Sequence, residues 1–152
     1  MGRWGFSYMG AIYLILLWIP NLIYLKARPA DDSAPEPRWL HGIEMVGQAA
    51  CTTCALLFSD YDPVAWSPWS LWLVGSWMLM LLYELCWARY FVGPHTRARM
   101  YRSLGFIPVP LATLPVAAFF LLGVYGRVIW LMFAALVLAV GHIGIHLIHA
   151  RA

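Results

Sequence analysis

The residues best suited to chemistry in this 152-residue chain lie within long apolar segments rather than in loops. Near the C-terminus, three histidines stand at positions i, i+4 and i+7, a spacing that places them on one face of a helix. A second stripe, earlier in the chain, combines an imidazole, a carboxylate, an amide and a thiol. The two stripes are His142, His146 and His149, and His41, Glu44, Gln48 and Cys51. Two imidazoles one turn apart can bind one metal ion, whereas an imidazole beside a carboxylate can exchange a proton with it.

The elements that carry these stripes belong to a chain that is 62% hydrophobic and only 11% charged. A soluble domain contains roughly 25% charged residues, so this chain has too few charges to cover a water-exposed surface. The composition therefore indicates a lipid bilayer as its surroundings and a single transmembrane domain over residues 1–152. A net charge of +3 gives no indication of nucleic-acid binding.

The apolar segments predict an all-α, polytopic transmembrane helical bundle with five spans, since about 20 apolar residues of helix cross a ~30 Å bilayer core. Cutting the chain at charged and turn-forming residues places the spans at about 6–25, 41–59, 68–91, 104–125 and 128–149. The fourth span contains Pro108, Pro110 and Pro115, which should kink or break its first half. The alternative is four spans plus a re-entrant proline-rich segment.

The orientation of the bundle follows from the lysines and arginines near the span ends. Two of these residues fall on one side, and eight fall on the other. The pair is Arg3 and Arg127, and the eight are Lys26, Arg28, Arg38, Arg89, Arg97, Arg99, Arg102 and Arg151. We therefore expect the N-terminus outside and the C-terminus in the cytoplasm, in a plasma or inner membrane.

A layer of polar residues lies within the cytoplasmic half of the predicted spans. With a rise of ~1.5 Å per residue, its members sit about 5 to 10 Å from the helix ends. They are Asn21, Glu44, Glu84, His142 and His146, with His41 and His149 at the boundary. Because lipid cannot satisfy such groups, we expect a polar pocket inside the bundle. Its predicted lining is Glu44, Gln48, Glu84, His142 and His146.

Three interpretations of this layer remain open at the level of sequence. The first is proton-linked binding or transport of a small solute, with Glu84 as the main proton-linked group and the histidines as its partners. The second is a membrane-embedded metal-binding protein or metalloenzyme, in which His142 and His146, supported by His149 and by Glu84 or Glu44, hold Zn, Fe or Mn. The third is a structural or accessory subunit whose polar residues only satisfy one another.

Partners and activity are less constrained by the sequence. The lipid bilayer is the expected partner. A homo-oligomer is also expected, because one copy of 152 residues provides little protein to surround a pathway for a solute or proton. Whether the protein is an enzyme stays open. The pair Cys51 and Cys54 has CxxC spacing, but its position in mid-span favours inert packing thiols over a redox pair.

Several short strings are distinctive and are distributed over most of the chain. They are Gly5-Phe6-Ser7-Tyr8, Pro20-Asn21, Tyr83-Glu84-Leu85, Ala112-Thr113-Leu114-Pro115-Val116 and Gly141-His142-Ile143-Gly144-Ile145-His146-Leu147. In these strings the chain resembles a group of small, uncharacterised bacterial multi-pass integral membrane proteins. The resemblance implies a bacterial inner-membrane location and no assigned activity.

Overall fold

The structure, a computed structural model, describes residues 2–29 and 35–151. The part of the chain that it describes is helical, and its only β-type pairings are isolated bridges. The helices are α1 (Tyr8–Tyr24), α2 (Arg38–Leu57), α3 (Leu71–Phe91), α4 (Arg97–Met100), α5 (Pro110–Gly126), α6 (Ile129–Leu138) and α7 (Gly144–Arg151). A π-helical segment, Ala139–Ile143, joins α6 to α7. The all-α prediction is confirmed.

The core forms where α3 packs on α5, and Tyr13 of α1 contacts both helices. Ser76 on α3 donates to the carbonyl of Ala118 on α5 at 2.6 Å, and the Tyr13 hydroxyl of α1 donates to Ser76 Oγ at 3.0 Å. All three residues are fully buried. Because buried hydroxyls need partners, this chain of hydrogen bonds fixes the mutual register of three helices.

The proline-rich segment departs from its predicted boundaries. Residues 104–109 form a turn, and α5 begins at Pro110, six residues later than the predicted start of the fourth span. Val109 adopts a left-handed conformation with φ of 38°, and the Thr113 hydroxyl donates to the carbonyl of Pro108 at 2.9 Å. Proline lacks an N–H and disfavours α geometry in the residue before it, so the helix starts only at the last proline of this turn.

The five predicted spans are not supported as a set, and their number and topology stay predictions. Among the described residues, two helical stretches are both long and apolar enough to cross a membrane, Pro68–Phe91 and Ile129–Arg151. The apolar helices α1 and α5 have 17 residues each. Helix α2 has 20 residues, but its polar stripe keeps it outside this apolar class.

Arginines of the basic segment around α4 cap the C-terminal ends of two longer helices. Arg97 donates through two nitrogens to the carbonyl of His149 near the end of α7, at 2.6 and 3.0 Å. Arg99 does the same at the carbonyl of Arg89 near the end of α3, at 2.9 and 3.1 Å. Helix C-termini leave carbonyls unpaired and carry partial negative charge, so arginine is well suited to cap them.

Candidate functional site: the α1–α2 cavity and its histidine–glutamate pair

The C-terminal helical stretch, Ile129–Arg151, approaches α2 closely because both carry glycine where they cross. A side chain at Gly47 would meet the backbone of Leu138 at 2.6 Å, and one at Gly141 would lie 2.6 Å from Glu44 Cα. Glycine at these two positions therefore allows the helices to approach closely. The π-helical segment Ala139–Ile143 lies at this crossing and carries His142. π-bulges of this kind occur frequently at functional sites.

At the crossing, one carboxylate is surrounded by three nitrogen-bearing side chains. His142 Nδ1 lies 2.6 Å from Glu44 Oε1, and Gln48 Nε2 donates to the same oxygen at 3.2 Å. His41 Nδ1 lies 3.8 Å from Glu44 Oε2. The Glu44 side chain is 14% exposed and that of His41 is 58% exposed. The structure thus brings together four of the predicted site residues, with His142 as the closest partner of the carboxylate.

His146 extends this cluster along the C-terminal helix. Its ring centroid lies 4.5 Å from that of His142 and 5.7 Å from that of Tyr101. The Tyr101 hydroxyl lies 3.0 Å from His149 Nδ1, and His149 Nε2 lies 3.2 Å from Glu36. His149 therefore belongs to a second polar group, held by Tyr101 and Glu36, that sequence reasoning did not anticipate.

A cavity of about 680 Å³ lies beside this cluster, between α1 and α2. The wall is mostly apolar and includes Trp18, Met45, Leu111 and Phe119. Its polar members are Asn21, Tyr24, Gln48, Cys51, Thr52, Thr53, Tyr83, Trp87, His142 and His146. Ligand sites typically combine a volume of ~300–1,000 Å³ with an apolar wall and a few polar groups. We call this space the α1–α2 cavity.

Asn21 connects the wall of the α1–α2 cavity to α3. Its amide nitrogen donates to the Tyr83 hydroxyl and to the carbonyl of Leu17, each at 2.7 Å. Pro20, just before it, lies inside α1 and has no N–H, so α1 lacks one backbone hydrogen bond at this level. The predicted position of Asn21 beside the polar layer agrees with this arrangement.

Glu84, expected to be the main proton-linked group, is not among the described residues that line the α1–α2 cavity. Helix α3 contributes Tyr83 and Trp87 to the lining instead. One Glu84 carboxyl oxygen is buried without a hydrogen bond to any described residue. Successive residues of a helix are rotated by about 100°, and the adjacent Tyr83, rather than Glu84, reaches the cavity. Glu84 therefore does not join the group formed by Glu44 and His142.

The metal-binding interpretation lacks a complete set of ligands. Within residues 2–29 and 35–151, no group of three or more His, Cys, Asp or Glu side chains is arranged to hold a metal ion. His142 and His146 are adjacent, but Glu44 is bonded to His142, and His149 is bonded elsewhere. A protein metal site normally needs at least three ligands.

The cysteines are present as free thiols. Cys51 is buried and lines the α1–α2 cavity, and Cys54 is partly buried on the next turn of α2. The predicted packing role of Cys51 and Cys54 agrees with this environment.

The fold and this site define a class of protein. The described chain is an all-helical protein with two helices apolar enough to cross a membrane and a largely apolar internal cavity. No protein-family model, curated protein or solved structure matches the chain. Its resemblance to small bacterial membrane proteins therefore stays a prediction.

Proposed function

We propose that the chain is a multi-pass protein of a bacterial inner membrane that binds, and passes across the bilayer, a small solute in a proton-linked manner. The α1–α2 cavity is the binding site, and the His142–Glu44 pair at its edge couples occupancy to protonation. The observation that carries the proposal is the contact between His142 Nδ1 and Glu44 Oε1 at 2.6 Å beside a cavity of about 680 Å³.

The membrane location is supported by the outer surface of the helices. Large apolar side chains are exposed on the long helices, such as Leu22 on α1, Val46 on α2, Leu85 on α3 and Phe133 on α6. These four side chains are each more than half exposed. Soluble proteins rarely expose apolar surface on this scale, whereas lipid tails accommodate it without cost.

Five spans with the N-terminus outside remain part of the proposal. Helices of 17 residues, the length of α1 and α5, are about 25 Å long and come close to the ~30 Å hydrocarbon core. Helix α2 is less apolar, but Glu44, Gln48 and His142 satisfy one another across the helix interface. Mutually bonded polar groups of this kind are tolerated inside a membrane bundle.

Proton linkage follows from the chemistry of the pair. With Glu44 as a carboxylate, His142 donates from Nδ1, and its Nε2 is left as the nitrogen that can meet a solute. Protonation of that nitrogen converts an acceptor into a donor next to the cavity that His142 lines. Imidazole is the side chain that makes this change near neutral pH.

Native mass spectrometry of the full chain, released from its own membrane, tests this function. We expect a small-molecule adduct whose occupancy changes between about pH 5 and pH 8 in the wild type but not in His142→Gln. Ala49→Trp should remove the adduct, because Ala49 lines the α1–α2 cavity. Leu85→Trp, on the exposed surface of α3, is the control and should retain it. No adduct in the wild type, or equal loss in both tryptophan variants, would refute the proposal.

Labelling of single cysteines tests the orientation. In a background with the three natural cysteines replaced by alanine, Val64→Cys lies in the predicted outer loop and Arg102→Cys lies in the predicted inner loop. An impermeant maleimide added to intact cells should label only the first. Labelling of only the second would reverse the orientation.

A further inference from the structure

We infer that the occupant of the α1–α2 cavity is an uncharged, bilayer-dissolved molecule with a hydrogen-bond-accepting head and an apolar tail, entering sideways between α1 and α2. The inference rests on the proposed membrane-embedded binding function and names the chemical class of the solute. Three observations carry it: the charge of the lining, the way α1 and α2 are joined, and one indole N–H.

The lining contains no fixed charge. Among the described residues that line the α1–α2 cavity, none is Asp, Glu, Lys or Arg. The nearby Glu44 is already bonded to His142 and Gln48 and lies near His41. A phosphate, carboxylate or ammonium head would therefore be buried without a countercharge, which is strongly unfavourable. An uncharged head avoids this cost.

Among the described residues, backbone hydrogen bonds hold the two helices at the mouth of the cavity together near the start of α1. Near the start of α1, Gly5 and Ser7 donate to backbone carbonyls near the end of α2, at 2.9 and 3.0 Å. At its other end, α1 turns to α3 through the hydrogen bond between Asn21 and Tyr83. Between these two ends, α1 and α2 are separated by the cavity that both of them line.

The side chains at this separation are apolar and exposed. Trp18 on α1 and Met45 on α2 both line the α1–α2 cavity, and each is a little more than half exposed. The exposed residues Leu22 and Val46, next to them on the same helices, are also apolar. A molecule that enters through this gap meets hydrocarbon-like side chains, which suits a solute that arrives dissolved in lipid.

One buried indole N–H indicates the chemistry of the head. Trp87 is 3% exposed and lines the α1–α2 cavity. Its Nε1 makes no hydrogen bond of good geometry with any described residue, although Tyr83, whose hydroxyl accepts from Asn21, lies beside it. Buried indole N–H groups usually have an acceptor, so a carbonyl oxygen on the occupant would complete this site.

Photolabelling with matched probes tests the inference. Three dodecyl probes carry a diazirine at the same carbon and differ only in the head, which is an acetate ester, a phosphate or a trimethylammonium group. With the full chain in phosphatidylcholine nanodiscs, the ester should label α1 and α2 peptides at least about tenfold more than either charged probe. Unlabelled dodecyl acetate should compete.

Substitutions then distinguish binding inside the cavity from binding on the outer surface. Ala49→Trp should abolish the competed labelling by the ester, and Leu85→Trp, on the exposed surface of α3, should preserve it. Trp87→Phe should weaken competition by about fivefold, as expected for one hydrogen bond, whereas Trp130→Phe, on the exposed surface of α6, should not. Equal labelling by the three heads, or labelling that none of these variants changes, overturns the inference.

Failure of this inference can be distinguished from failure of the proposed function. Saturable binding of the ester that does not depend on pH or on His142 would support the inference. The same result would refute the proposed proton linkage. Binding of a charged or tail-free solute, with the pH dependence lost in His142→Gln, keeps the proposed function and removes the inference.

Discussion

Replacing Glu44 and His142 singly and together measures how strongly the central pair holds the bundle. Glu44 is largely buried, and its oxygen lies 2.6 Å from His142 Nδ1. Loss of His142 leaves a buried carboxylate with one amide donor at 3.2 Å and the exposed His41 at 3.8 Å. We therefore expect either single variant, Glu44→Gln or His142→Gln, to be less stable than the wild type, and the two changes together to cost less than their sum.

The magnitude follows from the type of contact. A hydrogen bond to a charged group contributes about 1.5–3 kcal/mol, so the coupling energy between Glu44 and His142 should fall in this range. The same carboxylate provides a matched control, because His41 Nδ1 is 3.8 Å away and its side chain is 58% exposed. Exposed ion pairs contribute about 0.2–1 kcal/mol, and the coupling between Glu44 and His41 should be correspondingly small.

The assay is a double-mutant cycle on the free energy of unfolding in detergent micelles, followed by tryptophan fluorescence. The larger coupling requires a carboxylate, so it should decrease as the pH falls far enough to protonate Glu44. Equal coupling of Glu44 to His142 and to His41, or a coupling to His142 below about 0.5 kcal/mol, would refute the reasoning.

Two further predictions concern the packing that positions the pair. Gly47→Leu should destabilise the bundle by at least about 1–3 kcal/mol, because its side chain would meet the backbone of α6 at 2.6 Å. Gly42→Leu on the same helix, with open space around it, should melt within a few degrees of the wild type. Arg97→Gln should increase amide hydrogen exchange at the end of α7 about tenfold, because two hydrogen bonds to a terminal carbonyl are lost. Arg102→Gln, whose side chain is exposed, should leave that exchange unchanged, and equal exchange in both variants would contradict the capping role.

Much of the helical framework follows from simple periodicity. Apolar segments bounded by charges and turn residues predicted α1, α2 and α3 to within a few residues, since hydrophobicity and breakers act locally. The start of α5 was placed too early because the prolines around Pro108 act on the residues before them as well as on themselves. Local rules thus located helices better than they located helix starts within a proline cluster.

The site was harder to predict because it depends on which helices meet. The spacing of His41, Glu44 and Gln48 indicated a shared face, but only the close approach at Gly47 and Gly141 brings that face to His142. Which neighbour a helix face meets is decided by packing rather than by period.

Glu84 illustrates the same limit at a single position. Its depth along α3 was consistent with the polar layer, but depth does not give rotation about the helix axis. The α3 residues that line the cavity are Tyr83 and Trp87 instead. Tyr101 and Glu36 were missed because they lie in connecting segments, where periodicity carries no information.

The most direct test of the account is the proton balance when the α1–α2 cavity is filled. Dodecyl acetate added to the full chain in weakly buffered phosphatidylcholine nanodiscs should shift the signal of a pH indicator dye in proportion to the occupied cavity. The same addition should give no shift with His142→Gln, because the group that couples binding to protonation is absent. Saturable binding without a proton signal in the wild type, or an equal signal in His142→Gln, would contradict the central claim.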